Sequence, residues 1–137
     1  MLVDVHAHLT HKEYEGKLDQ VIKRAEKEGV VTIICSGTNS STNKEVLELS
    51  KKYKIVKASA GIYPLDAIGY KEPESAGLTQ DKDPIDLEKE FKFIKANDFI
   101  AIGEAGLGMQ YVTDKLKEQQ EVFAKVIEFS KIILVPW

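Results

Sequence analysis

The chain alternates between two hydrophobic periods, and this alternation predicts four β-then-α units. Short runs rich in apolar and β-branched residues predict four strands: LVDVHAHL, VVTIICSG, IVKASAGIYP and FIAIGEAGLG. Each run is followed by a segment whose apolar residues recur at the spacing of a helix face. Repeated units of this kind favour parallel strands joined by right-handed crossovers.

The predicted helices follow from apolar stripes and from residues that start or stop a helix. The first three stripes are Leu18, Val21, Ile22 and Ala25, then Val46 and Leu47 with Leu49 or Tyr53, then Leu87, Phe91 and Ile94. Gly29 ends the first helix, Ser40, Ser41 and Thr42 cap the second, and Asp83 and Pro84 open the third. The fourth helix begins at Asp114, with one stripe made of Leu116, Gln119, Phe123, Val126, Ile127 and Ser130.

Two architectures accommodate this pattern within a single domain over residues 1–137. One is a partial TIM barrel of about four βα units, with the final apolar ILV starting a fifth strand. The other is a doubly wound open parallel sheet, which the length of 137 residues favours because a complete barrel takes roughly 250. Residues 65–82 form a long connection, interpreted either as a plain loop or as a lid over the strand ends.

Composition narrows the classes of function. A net charge of −3 gives no basic footprint for nucleic acid, so any DNA chemistry would need a local site with metal ions. Cys35 is the only cysteine, which excludes a disulfide framework, and its apolar surroundings predict a buried structural thiol. Neither a signal peptide nor an apolar run of membrane-spanning length is present, which predicts a cytoplasmic protein without membrane contact.

The first strand carries two histidines one residue apart. Alternation puts Asp4, His6 and His8 on one face, and imidazoles roughly 7 Å apart along a strand can lean onto one metal ion. An isolated pair is equally compatible with two separately hydrogen-bonded histidines. Glu104 ends the fourth strand, on the face that Ile102 shares, and parallel strands gather their C-terminal ends on one side of a domain. The predicted metal ligands are therefore His6, His8 and Glu104.

Four motifs in order, DVHAHL, GIYP, AIGEAGL and QQEVF, resemble the TatD family of metal-dependent deoxyribonucleases, which are amidohydrolase-like TIM barrels. The resemblance runs from residue 3 to about residue 130 and matches the N-terminal half of a family member. It implies a metal-dependent hydrolase of phosphodiester bonds in DNA that uses divalent Mg, Mn or Zn ions. It implies His6, His8 and Glu104 as metal ligands and assigns no catalytic residue and no other cofactor-binding residue in this chain.

The chain also departs from that family. Tyr63 and Leu65 stand where the family usually has histidines, and Gly108 stands where it has aspartate. The family's later ligands and catalytic aspartate have no counterpart, since the only other histidine, His11, lies in a polar loop and matches no ligand. The tail ILVPW follows a helix without a turn, which is interpreted as a truncation or a shifted reading frame. Little or no nuclease activity is expected from this chain alone, so whether it is an enzyme stays open.

The remaining residues of the motifs receive supporting roles, and two other functions stay open. Asp4 is expected to support the ligands, while Gln119, Phe123 and Tyr63 are interpreted as packing. One alternative is a non-catalytic fragment or interaction module, which would self-associate through exposed strand edges. The other is a PHP-type phosphoesterase, which also begins with HxH, although the GEAGL strand and the QxxxF helix argue against it.

Overall fold

Four parallel strands and five helices make up the part of the chain that the computed structural model describes, namely residues 1–70, 84–108, 112 and 114–133. The strands are β1 (Leu2–Ala7), β2 (Val30–Ser36), β3 (Val56–Ala60) and β4 (Ala101–Ile102). The helices are α1 (Leu18–Lys27), α2 (Ser40–Lys52), α3 (Pro64–Ala67), α4 (Leu87–Lys95) and α5 (Leu116–Ile133).

The strand order decides between the two predicted architectures. The order is β1-β2-β3-β4 and every pairing is parallel, so each new strand adds to the same edge of the sheet. A barrel grows in this way, whereas a doubly wound sheet reverses direction and places its first strand inside. The partial barrel is therefore confirmed, and the doubly wound alternative is wrong.

The two central strands, β2 and β3, have an apolar face that packs against the helices and a polar face on the concave side of the sheet. Apolar residues of β2 and β3 join two core clusters with the helices, and these residues are Ile33, Cys35, Val56, Ala58 and Ala60. Strand alternation leaves Ser36 and Ser59, which are register partners, on the other face. A polar face in the concave side of the sheet is where a barrel builds its site.

Two helices begin at other residues than the sequence predicts. The cap of α2 is Asn39, whose side chain accepts a hydrogen bond from the Thr42 N–H while the Thr42 hydroxyl accepts one from the Asn39 N–H. The cap of α4 is Asp86, which accepts from the Lys89 N–H, so this helix begins at Leu87, after the predicted start at Pro84. Asp83 lies outside the described residues. Several adjacent polar residues can each cap a helix, and packing selects which one does.

The buried stripe of helix α5 matches the predicted one at Gln119 and Val126 and departs from it at Ile127 and Phe129. Gln119, Val126 and Phe129 are buried, and Phe129 stacks on Phe91 with ring centroids 4.2 Å apart. Ile127, placed on the predicted stripe, is 41% exposed. The apolar residues of this helix support two overlapping stripes at helical spacing, and the position of α4 decides between them.

Helix α5 also extends further than the sequence predicts. It continues through Ile133, so the apolar ILV does not begin a strand at that residue. Residues 134–137 of this predicted stub, and residues 71–82 of the predicted lid, lie outside the described residues. Residues 65–67 of the lid belong to α3.

An asparagine of α2 is hydrogen-bonded to the residue that follows β3. The Asn43 side chain accepts a hydrogen bond from the Gly61 N–H and donates one to the Gly61 carbonyl, both at 2.8 Å. A Cβ atom on Gly61 would lie 1.7 Å from the Gly37 carbonyl oxygen, so only glycine permits this approach. The amide of Asn43 also donates to Glu90, a buried carboxylate on α4.

Among the described residues, no helix combines the length and the apolar character that crossing a membrane requires.

Candidate metal centre

Three side chains meet at the C-terminal end of the sheet. His6 lies near the end of β1, His8 follows that strand, and Glu104 follows β4. The Nε2 atoms of His6 and His8 are 3.1 Å apart, and Glu104 Oε2 lies 3.3 Å from the first and 3.0 Å from the second. The structure therefore brings all three predicted ligands together.

The distances between the three donor atoms match those expected for three ligands of one metal ion. Atoms about 2.0–2.2 Å from a shared ion, at angles between about 90° and 110°, are roughly 2.8–3.6 Å apart. The three observed separations, 3.0, 3.1 and 3.3 Å, fall within that range. Two imidazole nitrogens and one carboxylate oxygen also form a donor set that divalent transition ions accept.

The backbone of β2 sets which nitrogen of His8 is free. His8 Nδ1 lies 3.0 Å from the Ser36 carbonyl oxygen, which can only accept a hydrogen bond. Nδ1 must therefore carry the proton, and in the neutral ring Nε2 keeps its lone pair. Protein metal sites commonly use such a second hydrogen bond to orient a histidine ligand.

The main chain on both sides of Glu104 is anchored to β3 and the residues after it. The Ser59 hydroxyl donates to the Gly103 carbonyl at 2.8 Å, and the Ile62 N–H donates to the Glu104 carbonyl at 2.8 Å. The side-chain oxygen Oε2 is buried and accepts no well-aligned hydrogen bond, although two imidazoles face it. This oxygen needs a positive partner.

His8 and Glu104 each shift the pKa of the other toward its charged form. The close contact with the Glu104 carboxylate raises the pKa of His8 above its usual value, against the opposing effect of burial. The same interaction with His8 lowers the pKa of Glu104, helped by the charge of His6 when that ring is protonated. The half-buried pair thus favours an ionised carboxylate beside a positive charge, which is either a proton or a metal ion.

Glu104 lies beside the histidines as predicted, but strand alternation is not what puts it there. Strand β4 ends at Ile102, so strict alternation does not extend to Glu104. Ile102 packs against the core cluster on the helix side, whereas the Glu104 carboxylate turns toward the histidines. The register of β1 likewise shifts between Asp4 and Ala7, which interrupts the predicted alternation along that strand.

The other residues singled out in the sequence lie outside the triangle. Asp4 Oδ1 accepts a hydrogen bond from the His6 N–H at 3.1 Å, a contact that supports the strand beside the ligand. His11 Nδ1 accepts from the Glu13 N–H and caps a short 3-10 helix. The N–H of Tyr63 donates to the Thr38 carbonyl. Cys35 is fully buried, and burial raises the pKa of its thiol to about 11, as a structural thiol requires.

One motif residue does more than pack. Gln119 is fully buried on α5, and its Oε1 accepts a hydrogen bond from the Gly108 N–H at 2.6 Å. It thereby ties α5 to the loop that follows Glu104. A buried polar residue within an otherwise apolar stripe was the signal available in the sequence, since buried amides need a backbone partner.

Comparisons with known proteins identify the family of the chain. A family model described as TatD related DNase matches residues 3–136. The uncharacterized metal-dependent hydrolase YabD of Bacillus subtilis is 31% identical over 137 residues, which is 99% of this chain and 49% of the relative. The putative deoxyribonuclease tatdn3 of Danio rerio is 33% identical over 140 residues, which is 98% of this chain and 50% of the relative.

A solved structure supports the fold. The crystal structure of YjjV, a TatD homolog from Escherichia coli K12, is similar with a TM-score of 0.74 at 20% identity, covering 95% of this chain and 46% of that chain. The chain thus spans about half the length of the curated relatives it matches. The family match also decides against the PHP-type alternative.

Proposed function

The chain belongs to the TatD family of DNases, and from this premise we propose that His6, His8 and Glu104 bind a divalent metal ion within a phosphodiesterase site that acts on DNA. DNA as the substrate is supported by the name of the Danio rerio relative, a putative deoxyribonuclease. The metal dependence is supported by the name of the Bacillus subtilis relative.

The observation that carries this proposal is a carboxylate oxygen facing two imidazole nitrogens at hydrogen-bond distance. The Ser36 carbonyl leaves the His8 Nε2 lone pair pointing at Glu104 Oε2, which itself only accepts. Two such acceptors 3.0 Å apart repel each other unless a cation lies between them. A metal ion supplies that charge without protonating either group.

The donor set favours particular ions. Imidazole suits zinc and other transition ions, carboxylate suits manganese as well, and magnesium prefers oxygen ligands throughout. We therefore rank zinc and manganese above magnesium for this site. When bound, such an ion would supply Lewis-acid activation of a phosphoryl group and of the attacking water.

The residues of this chain have defined roles in that chemistry. His6, His8 and Glu104 hold the ion, and the carbonyl of Ser36 keeps His8 in the tautomer that binds. No described residue is assigned as the base that orients water. We accordingly expect the 137-residue chain by itself to cleave DNA weakly or not at all.

Titration of the metal-free protein with zinc and with manganese, followed by calorimetry, tests the site. We expect one ion per triangle, a loss of affinity of about 100-fold in His8→Ala, and unchanged binding in His11→Ala, a histidine outside the triangle. Absence of binding by the wild-type chain would favour the non-catalytic interaction module.

Activity is tested separately with a single-stranded DNA oligonucleotide and the same ions. The expected result is little or no cleavage. Robust metal-dependent cleavage that His6→Ala abolishes would show that the chain is a complete enzyme and that the predicted inactivity is wrong.

Strand β1 has an exposed apolar edge. Leu2, Val3 and Val5 are exposed on β1, an edge strand, and an apolar edge is a template for pairing. We propose that the chain folds as a single domain in the cytoplasm and pairs with a second copy through that exposed edge. Light scattering that shows a monodisperse monomer would contradict the association.

A further inference from the structure

Two buried serines lie beneath the metal centre on neighbouring strands. Ser36 ends β2, Ser59 lies opposite it on β3, and the two are register partners. We propose that their hydroxyls are positioning residues for the metal ligands, with Ser36 orienting His6 and Ser59 holding Glu104. This proposal rests on the proposed function, because it assigns residues that act through the ligands of that site.

Ser36 contacts both imidazoles through different atoms. Its carbonyl oxygen lies 3.0 Å from His8 Nδ1, and its Oγ lies 3.3 Å from His6 Nδ1. When Oγ accepts from the His6 Nδ1–H, the His6 Nε2 lone pair faces Glu104, as that of His8 does. Mutation can remove the hydroxyl but not the carbonyl, so Ser36→Ala should disturb His6 and spare His8.

Ser59 acts on the third ligand through the main chain. Its Oγ donates to the Gly103 carbonyl at 2.8 Å, directly before Glu104 and beyond the last paired residue of β4. The Gly103 N–H already donates to Ala60 and the Ile62 N–H to the Glu104 carbonyl. The hydroxyl therefore holds the peptide that joins Gly103 to Glu104, and losing it frees the carboxylate to turn away.

Threonine variants and a control serine distinguish a positioning role of the two hydroxyls from a role in packing alone. Ser36→Thr and Ser59→Thr keep a hydroxyl at each site and should restore what alanine loses. Ser50→Ala serves as the control, because the Ser50 hydroxyl donates to the Leu47 carbonyl within α2, away from the site. Each variant is first checked for folding by circular dichroism.

The experiment has a spectroscopic arm that needs no metal. Long-range proton–nitrogen NMR of the metal-free protein, at a pH where both rings are neutral, reports which nitrogen of each histidine carries the proton. Wild type should show Nδ1–H on the His8 ring, which the Ser36 carbonyl fixes, and Ser36→Ala should change the tautomer balance of His6 alone. An unchanged His6 ring in Ser36→Ala would overturn the assignment of Ser36.

The second arm is zinc affinity in two backgrounds. Ser36→Ala and Ser59→Ala should each weaken binding about 10- to 100-fold, as residues that orient metal ligands do. In a Glu104→Gln background Ser59→Ala should have no further effect, while Ser36→Ala keeps its effect. Equal losses from Ser59→Ala in both backgrounds would overturn its action through Glu104.

The two experiments distinguish a failure of the serine assignments from a failure of the proposed metal site. A wild-type protein that binds no zinc but shows the expected His6 change in Ser36→Ala would overturn the metal site and support the role of Ser36. Zinc binding that Ser36→Ala and Ser59→Ala leave intact would support the metal site and overturn both serine assignments.

Discussion

Glu90 and Glu104 are two carboxylates in polar surroundings, and they differ in what surrounds them. Glu90 is buried between α2 and α4, where the Ser40 hydroxyl and the Asn43 amide donate to its two oxygens. Glu104 is half-buried at the end of the sheet, where one oxygen faces two imidazole nitrogens and receives no well-aligned hydrogen bond.

The donors around a carboxylate distinguish a structural one from a metal ligand. A carboxylate saturated by donors is already satisfied and has nothing to offer a cation. A carboxylate opposed by lone pairs is satisfied only by adding positive charge. The first arrangement should govern stability, and the second should govern binding.

The largest expected effect is the loss of stability in Asn43→Ala. This change leaves Glu90 without one donor and removes both hydrogen bonds to Gly61, so we expect the free energy of unfolding to fall by about 3–5 kcal/mol. Urea denaturation measures it. Asn97→Ala is the control, because that side chain donates once to the Phe93 carbonyl and should cost about 1 kcal/mol. Equal losses in the two variants would remove the contrast.

Replacing each of the two glutamates by glutamine should affect opposite properties, zinc affinity in one case and stability in the other. Glu104→Gln should weaken zinc binding about 100-fold, or roughly 2.7 kcal/mol, and leave the metal-free protein as stable as wild type within about 1 kcal/mol. Glu90→Gln should do the reverse, lowering stability with little effect on zinc affinity. Glu118→Gln, an exposed carboxylate paired with Lys115, should change neither property measurably. Calorimetry and urea denaturation of the same samples check all three.

The smallest effect concerns pH, and around the pKa of His8 it has opposite signs for stability and for binding. Because the folded pKa of His8 is raised, its contribution to the stability of the metal-free protein is lost as pH rises through that value. Because the folded pKa of Glu104 is lowered, the contribution of that carboxylate is lost as pH falls through its value. Zinc affinity should instead rise with pH, since the ion must displace a proton from His8. Parallel pH series of unfolding and zinc titration check this, and curves that both rise as pH increases through the pKa of His8 would contradict it.

The sequence by itself determined the elements and the chemistry they carry. The periods of apolar residues predicted four βα units, and all four strands are present. The spacing of His6 and His8, and the position of Glu104 after the fourth strand, were sufficient to name the three side chains that meet. These inferences succeed because parallel strands bring their C-terminal ends together whatever the details of packing.

Only the tertiary structure decided which polar residues support the site. Ser36, Ser59 and Glu90 have no local pattern that distinguishes them from surface residues, because their partners lie 28 to 50 positions away along the chain. The choice between two stripes on α5 depended in the same way on where α4 packs against it. Periodicity specifies a face within one element, whereas a hydrogen bond between elements exists only after the sheet has set the distance between them.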